Sequence, residues 1–220
     1  MKTLEIRLST VGLLLFVFCA ACAQMPAKKI AVSGGNLCVT EGAVENGAGG
    51  RLSVDAPKMR AYVNTWSSQA IEAQFTYLGP TAEESKLGSG EIRRQFGLKL
   101  RAQNACNLCT PCGDLSRNRR LWFQSREILT KPEARSAETT LRLGDTHTLG
   151  AELNGEELRV FVDNRAVWEG SIGPDAQDLQ GPVGIRSDNV RLALDLKAGA
   201  VAGMHQDYKL ACKSGPDASD

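Results

Sequence analysis

From about residue 35 onward, apolar residues recur at every second position, and this period constrains the fold more than any other feature of the chain. Ile71, Ala73, Phe75 and Tyr77 alternate with Glu72, Gln74 and Thr76. Phe96, Leu98 and Leu100 alternate with Gly97, Lys99 and Arg101. The same holds for Leu158, Val160 and Val162, and for Val190, Leu192, Leu194 and Leu196. Successive side chains of a strand point to opposite faces, so each run predicts a strand with one face in a core. Shorter candidates are residues 51–54, 59–63, 140–143, 148–153, 166–168 and 183–186.

The punctuation between these runs agrees. Asn154-Gly155 is the strongest two-residue hairpin signal, because a type I′ turn needs positive φ at both positions. Asp163-Asn164 can make the same turn less well. Gly173-Pro174 and Gly181-Pro182 bracket a loop before the last strands. Many short strands separated by turn residues predict an all-β antiparallel sandwich or barrel. No long helical stripe competes, although residues 82–86 could form one turn.

Charge and composition remove whole classes of function. The 220 residues carry 26 Lys+Arg against 25 Asp+Glu, which argues against a globally basic nucleic-acid binder. A hydrophobic fraction of 42% supports one sizeable core and excludes general disorder. Arg117, Arg119 and Arg120 beside Trp122 and Phe123 are too local to reverse that, so nucleic acid is not expected as a partner.

The first 23 residues read as an export signal, with basic Lys2 and Arg7, an apolar run from Val11 to Phe18, and small residues at Ala20, Ala21 and Ala23. The run is shorter than the roughly 20 residues that span a bilayer. Two cleavage readings stay open. Ala21-Cys22-Ala23 would release a soluble chain, whereas Cys19-Ala20-Ala21-Cys22 resembles a lipobox that leaves Cys22 lipidated. The expected location is periplasm, outer membrane or extracellular space, with any membrane contact made through the lipid. Residues 24–35 would be a tether or the start of the domain, 36–198 the β-sandwich, and 199–220 a polar tail.

Of seven cysteines, cleavage or lipidation removes Cys19 and Cys22, leaving five in an oxidising compartment. The disulfide candidates are Cys38, Cys106 and Cys212. Cys106, Cys109 and Cys112 have the spacing of thiolate metal ligands, with Cys38, Cys212 or His147 as a fourth. Exported thiols oxidise first, so a disulfide is preferred and no metal is assigned.

The stretch from His147 to Gly170, HTLGAELNGEELRVFVDNRAVWEG, resembles the strand–hairpin–strand core of the concanavalin A-like lectin/glucanase (laminin-G-like) superfamily. Gly181-Pro-Val-Gly-Ile-Arg-Ser-Asp-Asn-Val190 and the alternating strand after it look like its closing element. Asn164 stands where that pattern usually has Gly. The resemblance implies a jelly-roll sandwich that binds glycans or proteins, and in some relatives hydrolyses glycosidic bonds. By analogy it allows calcium as a cofactor, for which the residues themselves give no support. Fold does not choose among these functions.

Residues 113–126 lack any strand period. Codons compatible with residues 108–127, read one nucleotide earlier, can encode two strand-like runs joined by a proline-rich turn. That resembles the pattern of a family of exported bacterial proteins with this fold. The hypothesis is that residues 109–126 are translated out of frame, creating Cys109 and Cys112; a gene without compatible codons there removes it.

Catalytic signatures are sparse. Retaining glucanases of this fold carry a Glu-x-Asp-x-Glu strand, and none occurs here. Glu83-Glu84 and Glu156-Glu157 are adjacent pairs, which on a strand point apart and read as solvated turns. His147 and His205 are isolated, and no catalytic residue is assigned. Glycan binding needs aromatic platforms with polar groups around them, and the candidates are Tyr62, Trp66, Trp168, Asp188 and Asn189, with Tyr77 in reserve. Against this, Trp168 packs sandwich edges more often, and Ser187-Asp188-Asn189 more often makes a tight turn. The leading reading is an exported non-catalytic module binding a glycan or an envelope protein. The second is a glycoside-active enzyme of the keto-glycoside hydrolase type, which needs two acidic residues converging in a cleft. The third is a degenerate product without function.

Overall fold

The computed structural model describes residues 28–64, 68–101, 109–114, 120–122, 137–140, 142–173 and 181–200. The stretch read from the sequence as an export signal, with Cys22, and Trp66, Cys106, Cys212 and the tail beyond residue 200, lie outside the described residues. In chain order the described strands are β1 (Lys28–Val32), β2 (Leu37–Glu41), β3 (Glu45–Asn46), β4 (Leu52–Val63), β5 (Ala70–Pro80), β6 (Gln95–Lys99), β7 (Cys109–Asp114), β8 (Arg120–Trp122), β9 (Ala137–Thr140), β10 (Thr146–Asn154), β11 (Glu157–Val162), β12 (Arg165–Ser171) and β13 (Gly184–Ala200). Every pairing among them is antiparallel.

The hydrogen-bonded order is β12-β11-β10-β5-β13-β6-β7-β8-β9, with β4 along the other edge of β13 and β2 and β3 beyond β4. The fold is an antiparallel jelly-roll sandwich. Its core holds the positions that alternation selects, including Ile71, Phe75, Leu98, Leu149, Val160 and Leu192, all fully buried. Burying each such side chain contributes roughly 1.5–3 kcal/mol of transfer free energy. Phe75 and Phe96 meet with ring centroids 5.0 Å apart, although β5 and β6 are not hydrogen-bonded neighbours. The contact therefore runs across the core.

Two long strands stand where four short ones were expected. Along β4 the core-facing residues are Leu52, Val54 and Ala56, then Met59, Ala61 and Val63. Along β13 they are Ile185 and Ser187, then Val190, Leu192, Leu194 and Leu196. Each series contains one step of three, and the two steps lie opposite each other, with Asp188 facing Lys58 and Val190 facing Ala56. At that point β13 leaves β6 and takes β5 as its partner. Asn189, at φ 55°, supplies the irregular residue. The tight turn expected at Ser187-Asp188-Asn189 is thus corrected: the backbone bends there but stays paired with β4. A shift in parity inside a strand looks like a break when only periodicity is read.

Both expected hairpins form, but the type I′ turn expected at each is found only at the second. Asn154 pairs with Glu157, so the loop is Gly155-Glu156, and only Gly155 has positive φ, the pattern of a type II′ turn. Val162 pairs with Arg165, and Asp163 and Asn164 both take positive φ (48° and 62°), as type I′ requires. Residues 28–32, inside the stretch expected as a tether, form β1 against Leu196–Ala200 of β13. Lys29 anchors it there, with Nζ 3.0 Å from Glu72 and 2.9 Å from Glu152. Strands β7 and β8 form without an alternating sequence. Residues 115–119 and 123–126 of the segment suspected to be out of frame lie outside the described residues.

Candidate functional site

The face of β4, β13 and β6 opposite the core is polar, and its register sets three rows. Tyr62, Gly184 and Lys99 form the first, Arg60, Arg186 and Gly97 the second, and Lys58, Asp188 and Gln95 the third. Residues directly opposite in antiparallel strands share a face, so these side chains converge. Glu41 of β2 lies opposite Arg60 at the rim. Gly184 is required where it stands, because a Cβ there would meet the Ala61 carbonyl oxygen and lie 2.9 Å from Tyr62 Cδ1.

Asp188 organises this face. It is fully buried, and both of its oxygens are used. Arg60 Nη2 donates to Oδ1 at 2.6 Å, while Gln95 Nε2 and Arg186 Nη2 donate to Oδ2 at 2.6 and 2.9 Å. Burial pushes its pKa up, but the Arg60 and Arg186 charges and the bonds from Gln95 and Arg60 outweigh that and hold it below the usual carboxylate range. Arg60 Nη1 also donates to the carbonyls of Met59 and Ser187, each at 2.8 Å, which locks the guanidinium against the sheet. Lys99 is buried as well. Its ammonium donates to the Tyr62 hydroxyl at 2.6 Å and sits 4.7 Å from the centroid of that ring.

The residues proposed from the sequence part company here. Tyr62 and Asp188 belong to this face. Asn189 is buried beside it, but its side chain is spent on the main chain of residues 85–93. Its Oδ1 accepts from Ser85 N at 2.7 Å, and Nδ2 donates to the Ser85 and Arg93 carbonyls at 2.9 and 2.8 Å. Trp168 lies on β12 at the far end of the strand order, packed at the edge of the core over Gly170. It does not meet Tyr62. Trp66 lies outside the described residues.

Arg60, Gln95, Lys99 and Arg186 were not singled out from the sequence. Their signal was present, since each occupies the outward phase of a strand whose inward phase is apolar. Alternation alone reads such positions as solvated. Gln95 and Lys99 are instead buried, so β6 is enclosed on both faces. Among the described residues no three His, Cys, Asp or Glu side chains cluster as metal ligands. Cys38, opposite Tyr62 in the register, is buried and disulfide-bonded.

No protein-family model matches the sequence, and no curated protein matches it either. Solved structures do. The carbohydrate binding module CBM66 from Bacillus subtilis aligns with TM-score 0.50 at 14% identity, covering 72% of this chain and 91% of that one. The Crh5 transglycosylase in complex with NAG aligns with TM-score 0.56 at 9% identity, covering 81% and 86%. At such identities the likeness speaks to the fold alone, an antiparallel jelly-roll sandwich.

Proposed function

We propose that the polar face of β4, β13 and β6 binds a glycan without turning it over, in a protein exported to the cell envelope or beyond. The observation that carries this reading is the convergence of the part-exposed Arg60, Tyr62 and Arg186 on one sheet face, where the buried Asp188, Gln95 and Lys99 hydrogen-bond to one another and to them. The fold supports it, being shared with a carbohydrate binding module and with a transglycosylase solved with NAG bound. Sugar hydroxyls are met by planar, fixed donors, and Arg60 and Arg186 are fixed by Asp188. Cys38 in a disulfide supports export, whether the chain is released or anchored through Cys22.

The non-catalytic choice rests on the carboxylates. Glycoside hydrolysis needs two of them flanking the scissile bond. Among the described residues of this face, Asp188 is committed to two arginines and a glutamine, and Glu41 stands at the rim 3.9 Å from Arg60 Nε. Affinity gel electrophoresis of the purified chain against a polysaccharide panel tests the reading, alongside a reducing-sugar assay on the same panel. Retardation without new reducing ends is the expected result. Release of sugar ends would favour a glycoside-active enzyme, and retention by no polysaccharide would overturn glycan binding.

A further inference from the structure

The sheet on the other side of the core carries one aromatic residue where its pattern calls for polar ones. Strands β5 and β6 meet across the core through Phe75 and Phe96, so the outer side of β5, β10 and β11 looks away from the polar face of β4, β13 and β6. Among the outward positions of these three strands Phe161 is the one aromatic. A single apolar residue on a surface is ordinary. This one is set apart by its neighbours.

Gly150 stands directly opposite Phe161 in the register and brings no side chain to the face. A Cβ there would lie 3.6 Å from Phe161 Cβ and 3.7 Å from its Cδ2. The ring therefore rests against the glycine on one side and, being half-buried, keeps its other side open to water. Such a ring offers the apolar side of a sugar a platform. Polar partners lie alongside. Thr148, the next outward residue on β10, faces Gln74, whose amide is exposed and makes no hydrogen bond among the described residues. Strand and residue spacings put Gln74 roughly 12 Å from Phe161, a distance that a short oligosaccharide covers. Next to them Thr76 and Thr146 join through their hydroxyls at 2.8 Å.

The charges around this surface are spent on one another. Lys29 holds Glu72 and Glu152, Arg51 Nε lies 3.1 Å from Asp195, and Arg159 Nη2 lies 2.7 Å from Glu169. An incoming ion has to displace one of these pairs. An uncharged, polyhydroxylated chain meets a ring, an amide and hydroxyls and leaves the pairs intact, so complementarity favours it.

We propose that the outer face of β5, β10 and β11 binds a neutral saccharide chain, stacked on Phe161 beside Gly150 and hydrogen-bonded by Gln74 and Thr148. It is a second surface, separate from the polar face of β4, β13 and β6 and on the opposite side of the sandwich.

The test uses the full chain, with affinities for laminarin, a mixed-linkage β-glucan and dextran, all uncharged. For whichever of these the parent binds, Phe161→Ala should weaken binding about tenfold and Gln74→Ala severalfold, while Phe161→Trp should match or exceed the parent. Gly150→Gln keeps the ring and fills the recess beside it. A Cβ there makes only ordinary contacts, so this variant should block binding with the melting temperature unchanged. Raising the salt from about 0.05 to 0.5 M should change the affinity by less than about twofold. Parent-like binding by both Phe161→Ala and Gly150→Gln overturns the proposal, and loss of binding in Arg186→Gln alone would assign the glycan to the polar face instead. A steep loss of affinity with salt overturns the neutral ligand. If the parent binds none of the three, this surface is overturned, and the function proposed above is decided separately by its wider polysaccharide panel.

Discussion

The two halves of β13 carry the same alternation and live in different surroundings. In residues 190–199 the outward positions include Arg191 and Lys197, both exposed, with Lys197 sharing Glu72 with Lys29. In residues 184–188 the outward positions are Gly184, Arg186 and Asp188, of which Asp188 is wholly buried. Water solvates the first set whether or not it pairs. It cannot reach Asp188, whose charge survives only because Arg60, Arg186 and Gln95 replace the lost hydration. An identical pattern of letters thus describes a solvated sheet surface and a desolvated polar cluster, and the difference lies in burial and in the partners that replace water.

That contrast has its sharpest consequence at Asp188. Asp188→Ala leaves two arginines facing each other without their counter-ion, and should cost about 3–5 kcal/mol in chemical denaturation. A loss below about 1 kcal/mol would show the cluster to be solvated and erase the distinction. The same carboxylate sets a pH dependence. Its folded-state pKa lies below the unfolded one, so its contribution is complete above the ordinary Asp value of about 3.9 and is lost as the pH falls through the folded value. Glu72 is also lowered, held down against its burial by Lys29 and Lys197, and adds to the same acid limb. Stability followed from neutral pH downward should therefore fall below about pH 4, and less steeply in Asp188→Asn than in the parent.

The junction between the halves comes next in size. Asn189→Gly keeps a residue tolerant of φ 55° but deletes three hydrogen bonds to the Ser85 and Arg93 main chain, at a cost of about 1–3 kcal/mol. Asn189→Ala should lose roughly 1 kcal/mol more, since alanine resists left-handed geometry. Equal melting temperatures for the two variants would mean that the backbone there is not held in that conformation.

The same junction marks where the sequence stops being legible. Leu158, Val160 and Val162 could be placed in the core by counting, because β11 is a plain alternating strand between two tight turns. The steps from Ala56 to Met59 and from Ser187 to Val190 could not, because a parity change inside a strand and a break between two strands leave the same trace. The type of turn at Gly155-Glu156 was missed for a related reason: register moved the loop by one residue, and register is a property of the paired strands. At the site, Tyr62 and Asp188 were nameable as residue types suited to sugars. Arg60, Gln95, Lys99 and Arg186 were not, because their contacts come from neighbouring strands, which periodicity in their own strands does not encode.

On the core side of the first half, Ser187 faces Met59 and Phe96 across the pairing, with its Oγ buried and lacking a hydrogen-bond partner. An unsatisfied buried hydroxyl is a standing cost. Ser187→Ala should raise stability by about 1 kcal/mol, read as a higher denaturation midpoint at unchanged slope. Destabilisation instead would mean that the hydroxyl has a use in this half that the apolar positions of the other half lack.

The smallest effect belongs to the solvated half. Lys197 is half exposed, and its Nζ lies 3.3 Å from Glu72 Oε1. Lys29 holds the other oxygen of Glu72 at 3.0 Å and reaches Glu152 at 2.9 Å, with a side chain only 21% exposed. Lys197→Ala therefore leaves Glu72 paired and should shift stability by less than about 0.5 kcal/mol, vanishing in high salt. Lys29→Ala removes both bridges and the anchor of β1, so it should cost more than Lys197→Ala at every ionic strength. Its lysine pKa is raised because the two glutamates outweigh its burial. That contribution is present at neutral pH and is lost only as the pH climbs through the folded value, the opposite limb from Asp188. If Lys197→Ala proved as costly as Asp188→Ala, solvation would not be what separates the two halves of the strand.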